Sequence, residues 1–238
     1  MLEAPEPKHA AKHPWLVTAL VTLAVGLVAK VVPDTWSATL VGLAFLVATY
    51  WLCASGTSST HVHAMGLSLG GLLETGSLDP RRMASDSAHA VLFALCTTLL
   101  VFPLFWLGFI FWWHPTHAFA FRGPLSWSDE LFGQALVVAL PEEAFYRGYL
   151  LTTLERQDRH HLRVFGVPVG MSLVWSSTLF ALGHFITEPH PARLAVFFPA
   201  LLFGWLRLKT GGIGTGVLFH VACNAFASFL GTGYGLWH

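Results

Sequence analysis

The chain has 238 residues, of which 54% are hydrophobic and only 11% charged, where a soluble domain carries about 25% charged residues. Its mean hydropathy of +0.59 places it among integral membrane proteins and against the soluble globular class. Basic and acidic residues balance at 13 each. The basic stripe that phosphate backbones require is missing, so no nucleic-acid partner is expected.

In chain order, residues 1–14 form a polar, proline-containing N-terminus with Lys8 and Lys12 before the first apolar run. That run, Trp15–Val32, is longer than the core of a signal peptide and ends in VVPDTW, not at a small-residue cleavage site. It reads as an uncleaved first span. Apolar runs long enough to cross a bilayer then recur at Trp36–Cys53, Ala88–Trp113, Leu131–Leu151, Val167–Phe185, Leu194–Leu208 and Ile213–Leu230. The short, glycine-rich stretch Met65–Leu73 reads as interfacial. The sequence therefore predicts an all-α, polytopic membrane helix bundle of about seven transmembrane helices, eight at most, without internal repeats. It forms one membrane domain over residues 15–230, with a short C-terminal tail at 231–238.

With the N-terminus in the cytoplasm, the inner connections hold Lys8, Lys12, Arg81, Arg82, Arg156, Arg159, Arg163, Arg207 and Lys209. The outer ones hold Lys30, Arg122 and Arg193. This excess sets the N-terminus inside. Arginine outnumbers lysine, and alanine, leucine and tryptophan are abundant, which suggests a bacterial source, and the expected location is a bacterial inner membrane.

Glu142, Glu143 and Arg147 are the only charges in the fourth run. Each costs about 2.5–3.5 kcal/mol at the centre of a spanning helix, so they must face a protein interior. Glu143 and Arg147 stand i,i+4 and can pair, whereas Glu142 is about 100° further round and free to meet another helix. Pro141, just before them, frees a carbonyl one turn back. The fifth run ends in STLFALGHF, with Phe180 and His184 on one face. The seventh holds GVLFHVACNAF, with His220 and Asn224 again i,i+4. Polar groups on three apolar helices imply one shared cavity. A carboxylate and an imidazole around one water form a general-base pair, and a second imidazole with a carboxamide can stabilise an oxyanion. That inventory fits hydrolysis of a peptide bond without a covalent intermediate. No GxSxG elbow is present. Cys53, Cys96 and Cys223 sit in apolar stretches at unrelated spacings and read as packing residues.

The same residues leave rivals open. Glu142, His184 and His220 could form a two-histidine, one-carboxylate zinc site, although HExxH is absent. The polar set could instead serve packing in a non-catalytic immunity or scaffold protein, or form a proton or substrate pathway.

EEAFYR (Glu142–Arg147), FALGH (Phe180–His184) and HVACN (His220–Asn224) resemble the motifs EExxxR, FxxxH and HxxxN/D. These occur in this order on successive helices of the CAAX protease and bacteriocin-processing family, which includes Ras-converting CAAX endopeptidases and bacterial immunity and sortase-like members. The resemblance spans about residues 128–230. It implies an intramembrane glutamic endopeptidase acting on a membrane-associated protein or peptide, with no cofactor and no essential metal. It implies further that Glu142 and His184 activate the water, that His220 and Asn224 form the oxyanion hole, and that Glu143, Arg147 and Phe180 support the site.

Overall fold

The computed structural model of the chain describes residues 13–71, 78–121 and 127–237. Residues 1–12 with Lys8 and Lys12, residues 72–77 with the end of the stretch expected to be interfacial, residues 122–126 with Arg122, and the last residue lie outside the described residues.

Helix α1 (Pro14–Val31) begins with proline at its first position, where the missing N–H costs nothing. It ends before Pro33, which cannot continue the ladder, and α2 (Asp34–Thr49) starts directly after it. Their short link makes them an antiparallel pair. A wide turn, Tyr50–Ala54, extends α2, and the short α3 (Ser59–Ala64) follows, its N-terminus capped by Ser58 Oγ at 3.3 Å from His61 N. Helix α4 (Pro80–Trp113) is capped by Asp79, whose Oδ1 accepts from Arg81 N at 2.9 Å and Arg82 N at 3.2 Å. It begins eight residues earlier than the apolar run suggested, because the cap and the polar turns from Pro80 to Ser87 can sit outside the bilayer.

The fourth apolar run lies within a continuous helical segment from Trp127 to Glu155 whose winding changes along its length. Ordinary α-turns at α5 (Trp127–Gly133), α6 (Leu140–Glu143) and α7 (Thr152–Glu155) alternate with π-helical stretches at Gln134–Ala139 and Ala144–Leu151. Pro141 deprives the Val137 carbonyl of its i+4 donor. Gly42 of α2 lies so close to that carbonyl that any Cβ there would collide with it. A proline loosens one helix and a glycine brings the other against the loosened turn.

Residues Val167–Val169, expected to open the fifth span, instead form strand β2, antiparallel to β1 (Leu162–Val164). Phe165 and Gly166 both take positive φ, 48° and 79°. That pair of left-handed residues makes the tight two-residue hairpin connection, which the apolar composition of VPV concealed. The span itself, α8, is Met171–Thr187. A 3₁₀ stretch, Pro191–Val196, leads into α9 (Phe197–Thr210), so Pro199 falls in the first turn, where a proline is tolerated. Helix α10 (Gly214–Gly233) closes the bundle.

Among the described residues, five helical segments are long and apolar enough to cross a membrane, and α8 is apolar but shorter. The chain is an all-α membrane helix bundle. Trp15 meets Trp175 edge-on at 5.5 Å between ring centroids, and a Cβ at Gly26 would lie 3.0 Å from Ile186 Cγ2. Helices α1 and α8 therefore run parallel in close contact. Against α10, α4 stacks Phe102 on Phe226 at 4.2 Å, and Trp106 Nε1 donates to Tyr234 Oη at 2.9 Å. Cys53 and Cys223 are buried and Cys96 is exposed, and none forms a disulfide.

Candidate active site

Of the motif residues, Glu142, Glu143, Arg147, Phe180, His184 and His220 come together, and Asn224 does not join them. Glu143 and Arg147 are fully buried, with Arg147 Nη1 3.3 Å from Glu143 Oε1. Arg147 also donates from Nη2 to the Ala200 carbonyl at 3.3 Å, and its guanidinium lies 4.3 Å from the Phe180 ring centroid and 5.2 Å from that of Phe203. A buried guanidinium thus gains one carboxylate, one carbonyl and two aromatic faces in place of water.

His220 bridges the two glutamates. Its Nδ1 is 3.1 Å from Glu143 Oε1, and its Nε2 is 3.8 Å from Glu142 Oε2. An ionised carboxylate only accepts, so Nδ1 donates and the ring's orientation is set by Glu143. Phe203 stacks on the imidazole at 4.6 Å and 17° between planes. The carboxylate of Glu143 fits against α10 because residue 216 is glycine: a Cβ there would stand 3.0 Å from Glu143 Oε2.

Glu142 lies at the edge of this cluster, its side chain 13% exposed and its Oε2 without a hydrogen-bond partner. It lines a cavity of about 340 Å³ together with His184, Tyr146, Thr22, Val25, Phe45 and Arg193. The His184 Nδ1 sits 3.1 Å from the Phe180 carbonyl, which can only accept. Nδ1 therefore carries the proton, and Nε2 is left with its lone pair on a ring that lines the cavity. Phe180 packs against His184 at 4.5 Å, which accounts for its presence in the motif.

Asn224 is placed apart from the cavity wall. Its Nδ2 donates to Gln134 Oε1 at 2.8 Å. Sequence reasoning passed over Gln134, although a lone carboxamide in the run LFGQALVVAL carries the same insertion cost that singled out the others. Tyr146 was also missed. It is buried, with its Oη 3.3 Å from Thr22 Oγ1, and it joins the motif helix to α1. Among the described residues, no three His, Cys, Asp or Glu side chains are grouped so as to hold a metal ion.

This arrangement defines a class: an integral membrane helix bundle in which carboxylates and imidazoles of the C-terminal half gather beside a cavity walled also by α1 and α2. Residues 124–226 match the family model described as type II CAAX prenyl endopeptidase Rce1-like. The match covers under half of the chain, on the segment that carries all three motifs, and it supports membership of the CAAX protease and bacteriocin-processing family. No curated protein and no solved structure matches the chain. The family is one of proteases, and it implies a membrane-associated protein substrate.

Proposed function

We propose that the protein is an intramembrane endopeptidase that hydrolyses a membrane-associated protein or peptide through a water activated by Glu142 and His184. The observation that carries this reading is that Glu142 and His184 line one cavity, the carboxylate with an unpartnered oxygen and the imidazole with a free Nε2. Two acceptors around one water can orient it and take its proton.

In this reading Glu142 removes a proton from water while the oxygen adds to the scissile carbonyl carbon. The tetrahedral oxyanion is assigned to the His220 imidazole and the second N–H of Asn224, which stand on α10 behind Glu142 and outside the cavity lining, so the scissile carbonyl has to reach past Glu142 toward α10. Collapse breaks the C–N bond, and the proton held by the carboxyl passes to the leaving amine. Glu143 and Arg147 hold His220 and the helix in register. Their complete burial and mutual pairing favour that structural role over direct chemistry.

The test compares the termini of membrane and secreted proteins, by mass spectrometry, between cells making the wild type and cells making Glu142→Gln. A defined set of unprocessed proteins in the variant is expected. Identical termini with a well-folded variant would favour the non-catalytic immunity or scaffold reading.

A further inference from the structure

We infer that the cavity opens on the extracytoplasmic side of the membrane, so that the substrate is an exported segment: the outer part of a membrane-anchored protein, or a secreted peptide. This rests on the endopeptidase reading and adds the side from which the substrate arrives.

The cavity is asymmetric along the bundle. Its walls come from the C-terminal half of α1, the N-terminal half of α2 and the C-terminal end of α8, with Arg193 just beyond. These ends share one side of the membrane. The α1–α2 link is only Val32 and Pro33, and Gly26 against Ile186 sets the end of α8 beside the end of α1. Along the walls, Thr22, Val25, Phe45 and Tyr146 are buried, whereas Asp34 and Ala38 are exposed. The mouth is therefore at the α1–α2 link. Polar Asp34 and Arg193 stand at it, the latter paired with Glu188 at 3.3 Å, above an apolar interior.

The basic residues gather at the other end. Arg156, Arg159 and Arg163 lie between α7 and α8, and Arg207 and Lys209 lie at the end of α9. Arg207 donates to the Ala64 carbonyl at 3.1 Å, and a Cβ at Gly214 would lie 3.9 Å from Ala90 Cβ. Those contacts bring α3 and the start of α4, with Arg81 and Arg82, to the same side. The described residues near the mouth offer only Lys30 and Arg193. Positive charge marks the cytoplasmic face, so the mouth faces outward. Depth agrees: Glu142 stands about 20 Å from the basic end of its helix in a hydrocarbon core about 30 Å thick. His184 is within three residues of the end of α8.

The test uses full-length protein in sealed right-side-out and inside-out membrane vesicles, with a membrane-impermeant maleimide. Ser37→Cys, in the cavity wall, and Arg159→Cys, at the basic end, are each made with Cys96→Ala, Cys53 and Cys223 being buried. Ser37→Cys is expected to react in right-side-out vesicles and lose that reaction in inside-out ones, with Arg159→Cys the reverse. The opposite pattern overturns the inference. Should a variant fail to fold, an impermeant amine reagent on the wild type reads the same question from Lys30 against Lys209. In the comparison of termini, the sites lost in Glu142→Gln are expected in extracytoplasmic segments, and cytoplasmic sites would overturn the substrate class. Identical termini would overturn the substrate claim through the endopeptidase reading, while the labelling still reports the side of the mouth.

Discussion

Helices α4 and α10 lie side by side and are both apolar enough to span a bilayer, yet they live in different solvents. Only 6% of the most apolar window of α4 is buried inside the protein, against 39% for α10. Leu99 and Leu100 on α4 are each 76% exposed, whereas His220 on α10 is 4% exposed. Hydropathy reports that a helix tolerates the bilayer, and polar residues at its centre report that it faces protein instead. Helix α4 gives most of its surface to lipid, and α10 helps to build an interior. Between them, α1 and α2 lend the cavity a wall without lending it titratable groups at its depth.

The largest expected effect tests that contrast at its centre. Glu142→Gln keeps shape and removes the carboxylate, and loss of a general base costs about 10²–10⁴-fold in turnover. Peptide release from a membrane substrate should fall by that factor while the melting temperature in detergent stays unchanged. A variant that melts early would instead make Glu142 a packing residue like its neighbour.

Arg147→Ala should do the converse. It leaves Glu143 buried without its cation and removes the bond to the Ala200 carbonyl, a change worth about 3–5 kcal/mol of stability. Thermal unfolding in a fixed detergent should show a large drop, and an unchanged midpoint would mean that water or His220 already manages the Glu143 charge.

Asn224→Ala follows. Loss of an oxyanion donor lowers turnover by about 10²–10³-fold with little change in substrate affinity. Because Gln134 holds the Asn224 amide at 2.8 Å, Gln134→Ala should lower turnover in the same direction by less, and adding it to Asn224→Ala should cost nothing more. A rise in the Michaelis constant alone would assign both residues to binding.

Much of this architecture was legible because the bilayer imposes simple arithmetic. The apolar runs, the i,i+4 pairing of Glu143 with Arg147, the turn of Glu142 away from that pair and the shared face of Phe180 and His184 all follow from length and helical period. The hairpin at residues 162–169 did not, because Phe165–Gly166 is a turn whose φ values no hydropathy window registers. Nor did the π-helical winding around Glu142, which depends on Gly42 of a distant helix meeting the turn that Pro141 opens. Asn224 and His220 share a face of α10, yet they meet different partners, Gln134 and the two glutamates. Which groups touch across helices is set by tertiary approach, and small residues such as Gly42 and Gly216 control that approach without any chemical signature of their own.

The smallest effects should invert ordinary expectation about size. Leu100→Ala removes most of a side chain from α4, but that side chain touches lipid in the folded bundle and in any unfolded membrane state, so the change in stability should stay within about 0.5 kcal/mol. Gly42→Ala adds one methyl group, yet that methyl meets the Val137 carbonyl and Pro141 Cγ, backbone and ring atoms that cannot rotate away. Overpacking of this kind costs about 1–3 kcal/mol. It would also push α2 from the cavity wall and so lower turnover. Thermal unfolding of the two variants in one detergent ranks them directly: if Leu100→Ala proves the more damaging, α4 is packed against protein in the membrane and the contrast between a lipid-facing α4 and an interior α10 fails.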